Sequence, residues 1–375
     1  MSTDIYKKLA KHLDNLPGGF PSTESGVELR ILRRLFTPEQ AELALHAALI
    51  PEESKVIARR AKLAPEDAAK RLEEMSKKGL ILRIQPEGRP PIYMAAQYVI
   101  GIWEFHVNDL DPELIRDMNE YIPTLFNMET WKKAPQLRTI PVGQSIDTQL
   151  EVLPYEKAEE LVRVHKKALV APCICRREHT MVGEGCEKPE ESCLIFGRAA
   201  DYYEQRDVGR VIDQQEALDI LKKADEAGLV LQSSNSQKIA NICCCCGCCC
   251  QVLKSFKRHP KPSSLVSSPF VAASNPDTCG GCSTCLERCQ MQALRLEDDK
   301  VVLDIDRCLG CGLCVSTCPT GTLTLVRRPE SEQQEVPRTM KDALVKLGRV
   351  RGKLGPIRMA RMQLKSKLDR TVSSK

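Results

Sequence analysis

The sequence predicts a multidomain α+β protein organised around cysteine. Three observations carry this. At roughly 150 residues per domain, 375 residues point to two or three domains. The nineteen cysteines are confined to positions 173–318 and fall in three groups. The cysteine-free front carries helix and hairpin signals. The expected divisions are an N-terminal extension (1–26), a helix-and-hairpin domain (27–96), a middle cysteine-rich α/β domain (97–257), a linker (258–275), a compact cysteine-rich domain (276–328) and a basic tail (329–375).

Composition narrows the function. Apolar residues make up 42% of the chain and charged residues 28%, enough for a solvated protein with a core. Aromatics at 4% argue against a surface that stacks many bases. Met1 to Pro21 is polar and charged, so no secretory signal is expected. No apolar run approaches the ~18 residues of a membrane span. The thiols are therefore expected in a reducing compartment, the cytoplasm, binding metal rather than forming disulfides.

The front reads as helix, helix, helix, hairpin. Val27–Phe36 is a short helix. Thr37 and Pro38 are an N-cap and a first helical residue for Glu39–Leu49. Glu52–Leu63 follows, with Val56, Ile57 and Leu63 as its apolar face. Glu66–Lys78 turns Ala68, Ala69, Leu72 and Met75 inward and stops at Gly79. Leu80–Ile84 and Ile92–Ala96 pair across the turn Gln85–Pro91. This order resembles the winged helix-turn-helix of bacterial regulators, and the resemblance implies DNA binding through the helix at 66–78. That helix balances Glu66, Asp67, Glu73 and Glu74 against Lys70, Arg71, Lys77 and Lys78. It lacks the Asn and Gln that read base edges, so protein docking is preferred to DNA.

In the middle, Pro154–Lys167 is expected as a helix, Ala168–Ala171 as a strand, Leu194–Gln205 and Asp213–Ala227 as helices, and Leu229–Gln232 as a strand. Cys173, Cys175, Cys186 and Cys193 punctuate this stretch. The run Cys243–Cys250 then places seven cysteines in eight positions. Adjacent residues point different ways, so one metal cannot take them all. A subset of Cys173, Cys175, Cys186, Cys193, Cys243, Cys245, Cys246, Cys248, Cys249 and Cys250 is expected to hold a further metal centre, an iron–sulfur cluster or zinc. His179 is expected beside that centre or exposed, not as a ligand.

Two copies of one motif carry the clearest chemistry. They are Cys279-x2-Cys282-x2-Cys285-x3-Cys289 and Cys308-x2-Cys311-x2-Cys314-x3-Cys318-Pro319. Three thiolates at three-residue spacing wrap one corner of a [4Fe–4S] cubane, and the fourth ligates the other cluster. Cys279, Cys282, Cys285 and Cys318 are thus expected on one cluster, and Cys308, Cys311, Cys314 and Cys289 on the second. Gln292-Ala-Leu-Arg-Leu and Gly321-Thr-Leu-Thr-Leu repeat behind the two runs. This duplicated unit resembles the bacterial two-cluster ferredoxin, from which it departs at Gln290, where that family usually has proline.

The segments PCICRREH and GCEKPEESCLIFG, the cysteine run and the paired motifs, in this order, resemble a family of anaerobic bacterial 4Fe-4S ferredoxin-type proteins. That family's run reads ICNCCGCCC, which makes Cys244 the least expected ligand. The resemblance implies electron transfer in an anaerobic setting and supplies no substrate. The expected function is a relay of single electrons between a low-potential donor and a partner oxidoreductase. Two other readings stay open. One is a redox-sensing winged-helix transcription regulator. The other is an oxidoreductase subunit with a substrate-binding cluster in the middle domain. No catalytic residue is expected, and no Rossmann fingerprint or P-loop announces a nucleotide.

From Arg327 onward the chain has 14 Lys/Arg against 5 Asp/Glu, while the whole chain is only +5. The tail is expected either as a basic amphipathic helix docking an acidic partner, an anionic membrane surface or nucleic acid, or as a mostly solvated segment. Gly348, Gly352 and Gly355 argue against one long helix.

Overall fold

The computed structural model describes residues 4–147 and 149–373. The ends of the expected extension and tail, residues 1–3 and 374–375, lie outside the described residues. The chain is mixed α/β and divides into two units. One comprises Met1–Asn127, Asp201–Val208 and Leu344–Lys375; the other comprises Met128–Ala200 and Gly209–Ala343.

In the first unit, Ile5–Asp14 is a helix that buries Leu9, Ala10 and Leu13, so the expected extension is part of the core. Val27–Leu35 follows, inserting Val27, Ile31 and Leu32. Thr37 and Gln40 form a reciprocal cap on Pro38–Ala44: Thr37 Oγ1 accepts from the Gln40 N–H at 3.3 Å, and Gln40 Oε1 accepts from the Thr37 N–H at 3.0 Å. This helix stops short of Leu49, because residues 45–47 tighten onto carbonyls three residues back. Glu52–Glu53 is a short strand, so the next helix is Ser54–Ala61.

Pro65–Lys77 ends at Gly79, whose φ of 78° lets the Leu80 N–H reach the Met75 carbonyl at 3.0 Å. Glu52–Glu53, Ile92–Ala95 and Ile81–Ile84 form an antiparallel sheet in that order.

The tail forms two helices, and most residues of the second are exposed to solvent. Met340–Val350 and Pro356–Ser373 are helices, interrupted at Gly352 with a φ of 67°. The second helix is tied down by polar groups. Ser366 Oγ donates to the buried Glu52 at 2.5 Å, and Arg60 bridges Glu52 and Asp369, at 2.6 Å to each.

The second unit is built on a six-stranded antiparallel sheet. Its order is Leu137–Ile140, Val230–Ser234, Asn241–Cys245, Glu191–Phe196, Ala168–Pro172, Arg210–Ile212. The segment expected as the helix Leu194–Gln205 is divided. Leu194, Ile195 and Phe196 fill a central strand, buried on both faces, and Gly197 (φ 57°) turns the chain into the helix Arg198–Glu204. The expected helix Pro154–Lys167 is a 3-10 turn, Pro154–Glu156, followed by Ala158–Arg163. Asp213, expected as the first helical residue, instead caps Gln214–Glu226.

The stretch 258–275 is not an exposed linker. Leu265 and Phe270 are fully buried, and Phe270–Ser274 is a strand paired with Leu323–Arg327. Its prolines end at Pro269, and the apolar run Phe270-Val-Ala-Ala supplies the strand. This pairing carries the expected domain's last strand back to a partner before residue 276. Leu294–Glu297 and Lys300–Leu303 form a second antiparallel pair, a hairpin. Among the described residues no helix is long and apolar enough to cross a membrane.

Candidate metal centres

None of the nineteen cysteines, all of them among the described residues, is joined in a disulfide. In the C-terminal region the sequence repeat is also a backbone repeat. Positive φ recurs two and four residues after the first cysteine of each run: 68° at Gly281 and 63° at Ser283, then 70° at Gly310 and 75° at Gly312. It recurs again at Gln292 (55°) and Gly321 (66°), each three residues after the fourth cysteine. These bends coil each run into a compact loop and then send the chain away, so the fourth thiol leaves its own loop.

The thiols sort by the charges they feel. Burial raises Cys285, and Cys282, Cys318 and Cys279 raise it further. The Thr284 amide holds Cys282 low, against the opposing charge of Cys318. On the other side burial pushes Cys311 up to about 12, with Cys289 and Cys308 adding to the rise. Burial also raises Cys314, reinforced by Cys311, Cys308 and Cys289, and more weakly by Cys285. Cys318 is thus among the charges that act on the first run, and Cys289 among those that act on the second. Burial opposes ionisation of Cys318, but amides at Leu323, Thr320 and Thr322 and the Thr320 hydroxyl outweigh it and bring its pKa to about 7.

Both sets fit an iron–sulfur cluster. Each presents four soft sulfur donors. Backbone N–H groups already aim at sulfur: Ala272 N lies 3.4 Å from Cys308 Sγ, and Ala293 N lies 3.2 Å from Cys289 Sγ. Met291, Leu294, Leu303, Leu309 and Leu313 line the hollow between Cys289, Cys308, Cys311 and Cys314. Thiolates, N–H donors to sulfur and apolar walls are the protein's means of holding and tuning such a cluster.

The middle cysteines divide into two groups and one outlier, and strand register decides which is which. Cys193 stands directly opposite Cys243 across the sheet. Their Sγ atoms are 4.0 Å apart. Side chains alternate along a strand, so Cys243 and Cys245 share that face while Cys244 points to the other. Cys244 is buried, and burial raises its thiol pKa.

Cys173 caps the helix Ile174–Met181, with Cys175 in its first turn, and Cys250 caps Gln251–Lys257. Cys175 is hydrogen-bonded to Cys173 and Cys250, Cys245 to Cys243 and Cys250, and Cys243 to Cys193. Six thiols thus form one connected group. Donors from Cys193 and Cys245 hold Cys243 below the ordinary thiol range, and donors from Cys175 and Cys245 do the same for Cys250. Both helix N-termini face the group and favour negative charge there.

The second group is Cys186, Cys246, Cys248 and Cys249, whose sulfurs all lie within 4.8 Å of one another. Burial opposes ionisation of Cys246, but the Cys249 amide, the Cys248 thiol and Arg176 bring it to about 7.

Several contributing residues were not anticipated from sequence. Arg176 is buried between the two groups. It donates to Cys246 Sγ at 3.7 Å, to the Cys244 carbonyl at 3.0 Å and to Ser192 Oγ, so none of these partners is a carboxylate. Asn241 Nδ2 donates to Cys243 Sγ at 3.3 Å. The charged segment PCICRREH gave the only hint of Arg176, by placing an arginine beside Cys175. His179 is buried. Its Nδ1 pairs with the Cys175 carbonyl at 2.7 Å and its Nε2 meets Lys254 Nζ at 2.8 Å, so both ring nitrogens are engaged.

Residues 278–322 match the 4Fe-4S dicluster domain family. The match takes in both cysteine runs. This is an iron–sulfur protein. No curated protein matches the chain, and no solved structure matches it.

Proposed function

We propose that the protein relays single electrons between a low-potential donor and a partner oxidoreductase. The observation that supports this is the sorting of eight thiols into Cys279, Cys282, Cys285, Cys318 and Cys308, Cys311, Cys314, Cys289. Each set would hold one [4Fe–4S] cluster. Such clusters take up and release one electron without rearranging their thiolate ligands. The chain's own part is to hold the thiolates, to offer the Ala272 and Ala293 amides to sulfur, and to exclude water with Met291, Leu303 and Leu313.

The six-thiol group Cys173, Cys175, Cys193, Cys243, Cys245 and Cys250 would hold a further iron–sulfur centre. Substrate chemistry is assigned to the partner. Residues 27–96 are proposed as a winged-helix docking domain. The exposed side of Pro65–Lys77 carries Glu66, Lys70, Glu74 and Lys77, a mixed face that suits a protein rather than DNA.

The test is a reductive titration of the anaerobically purified full chain, followed by visible absorbance. Bleaching that reverses fully on reoxidation is expected. A chain that accepts no electrons, or loses its colour irreversibly on one reduction cycle, would refute the relay.

A further inference from the structure

The four-thiol group closes on itself: all four sulfurs lie within 4.8 Å of one another. Cys186 Sγ lies 4.0 Å from Cys246 Sγ and 3.6 Å from Cys249 Sγ, and Cys249 Sγ lies 3.8 Å from Cys248 Sγ. A single tetrahedral ion with metal–sulfur bonds of about 2.3 Å sets its ligand sulfurs about 3.8 Å apart. A cubane binds each thiolate at a separate iron on a separate corner, so its ligands stand further apart. The observed spacing is that of one ion.

Four sulfurs in this arrangement select zinc among common divalent ions. We propose that Cys186, Cys246, Cys248 and Cys249 bind one zinc ion, separate from any iron–sulfur cluster.

The surroundings fit. Four thiolates around a divalent ion leave two net negative charges. The buried Arg176 guanidinium, donating to Cys246 Sγ, offsets part of that charge. Cys246 and Cys249 are buried while Cys248 is exposed, so the ion has an inner wall and an entry from solvent. The turn Cys246–Cys249 supplies three ligands and Cys186 the fourth. The ion would thus fasten the loop before Glu191–Phe196 to the end of Asn241–Cys245. This site does not depend on whether the paired clusters carry electrons.

Zinc and iron are measured in the anaerobically purified full chain, wild type and with Cys186→Ser or Cys248→Ser. About one zinc per chain is expected in the wild type. At least a tenfold loss of zinc is expected in each variant, with iron unchanged. Zinc-edge X-ray absorption on the wild type needs no variant to fold and is expected to give four sulfurs at about 2.3 Å. A zinc-free wild type, a zinc shell with fewer than four sulfurs, or variants that lose iron and keep zinc would each overturn the proposal.

Discussion

The backbone N–H of Gly247 donates to the side-chain oxygen of Gln290 at 2.7 Å. Gly247 lies inside the middle cysteine run, and Gln290 directly follows Cys289. The residue that departs from the ferredoxin pattern thus helps join the two cysteine regions. From within the middle region, Lys257 Nζ holds the same turn by donating to the Gly247 carbonyl at 2.8 Å. Asp225 and Arg288 add a largely buried ion pair of 2.6 Å between the same regions.

Gln290→Ala or Gln290→Pro removes the acceptor of the Gly247 amide. A lost hydrogen bond of this kind costs about 1.4 kcal/mol, a factor of ten in a local opening equilibrium. Hydrogen exchange at Gly247 is expected to quicken about tenfold. An unchanged rate would show that the bond contributes nothing to the junction.

Gly310→Ala and Gly321→Ala separate strain from collision. Both glycines have positive φ, 70° and 66°, so both substitutions cost about 1 kcal/mol of backbone strain. Only at Gly310 would the new Cβ strike the Phe270 carbonyl, while open space surrounds Gly321. Displacing the strand at Phe270 also moves the Ala272 amide away from Cys308. Gly310→Ala is expected to lower iron per chain, and Gly321→Ala to keep it. Equal iron in the two variants would contradict the close approach at Gly310.

Arg60→Ala leaves the Glu52 carboxylate, 1% exposed, without its cation. Stranding a buried charge costs about 3 kcal/mol. The variant is expected to unfold at lower denaturant and to release the C-terminal helix to early proteolysis. Wild-type resistance at that helix would mean that Ser366 and Asp369 do not depend on the network.

His106 sets an acid limit. It is buried, and burial lowers its pKa below the ordinary value, opposed by the Nδ1 contact with the Ile102 carbonyl at 2.6 Å. The folded protein keeps it neutral, whereas the unfolded chain takes up a proton near pH 6.5. Its contribution is complete above about 6.5 and is lost as pH falls through the lower folded value. His106→Gln is expected to lessen the fall in Tm between pH 7.5 and 5.5, followed by circular dichroism. An unaltered slope would place the acid sensitivity elsewhere.

The site was legible where chemistry is local. The two C-terminal runs carry their ligand spacing within eleven residues each, and Thr37-Pro38 and Gly79 announce helix ends through their own backbone needs. What depends on distant pairing was not legible. Leu194-Ile-Phe has no period of its own, and only its neighbours on both sides make it a strand. Phe270–Ser274 lay behind prolines and serines, and its partner is more than fifty residues away. The middle thiols divide by the register of Cys193 against Cys243, which no local pattern encodes.

The most direct measurement of the paired-cluster assignment is iron and acid-labile sulfide per chain on anaerobically purified protein, with EPR of the fully reduced state. At least about 8 irons and 8 sulfides are expected, with the magnetically coupled signal of two neighbouring cubanes. Fewer than about 8 irons in fully loaded protein, or a reduced spectrum without coupling, would contradict the assignment of these eight thiols to two [4Fe–4S] clusters.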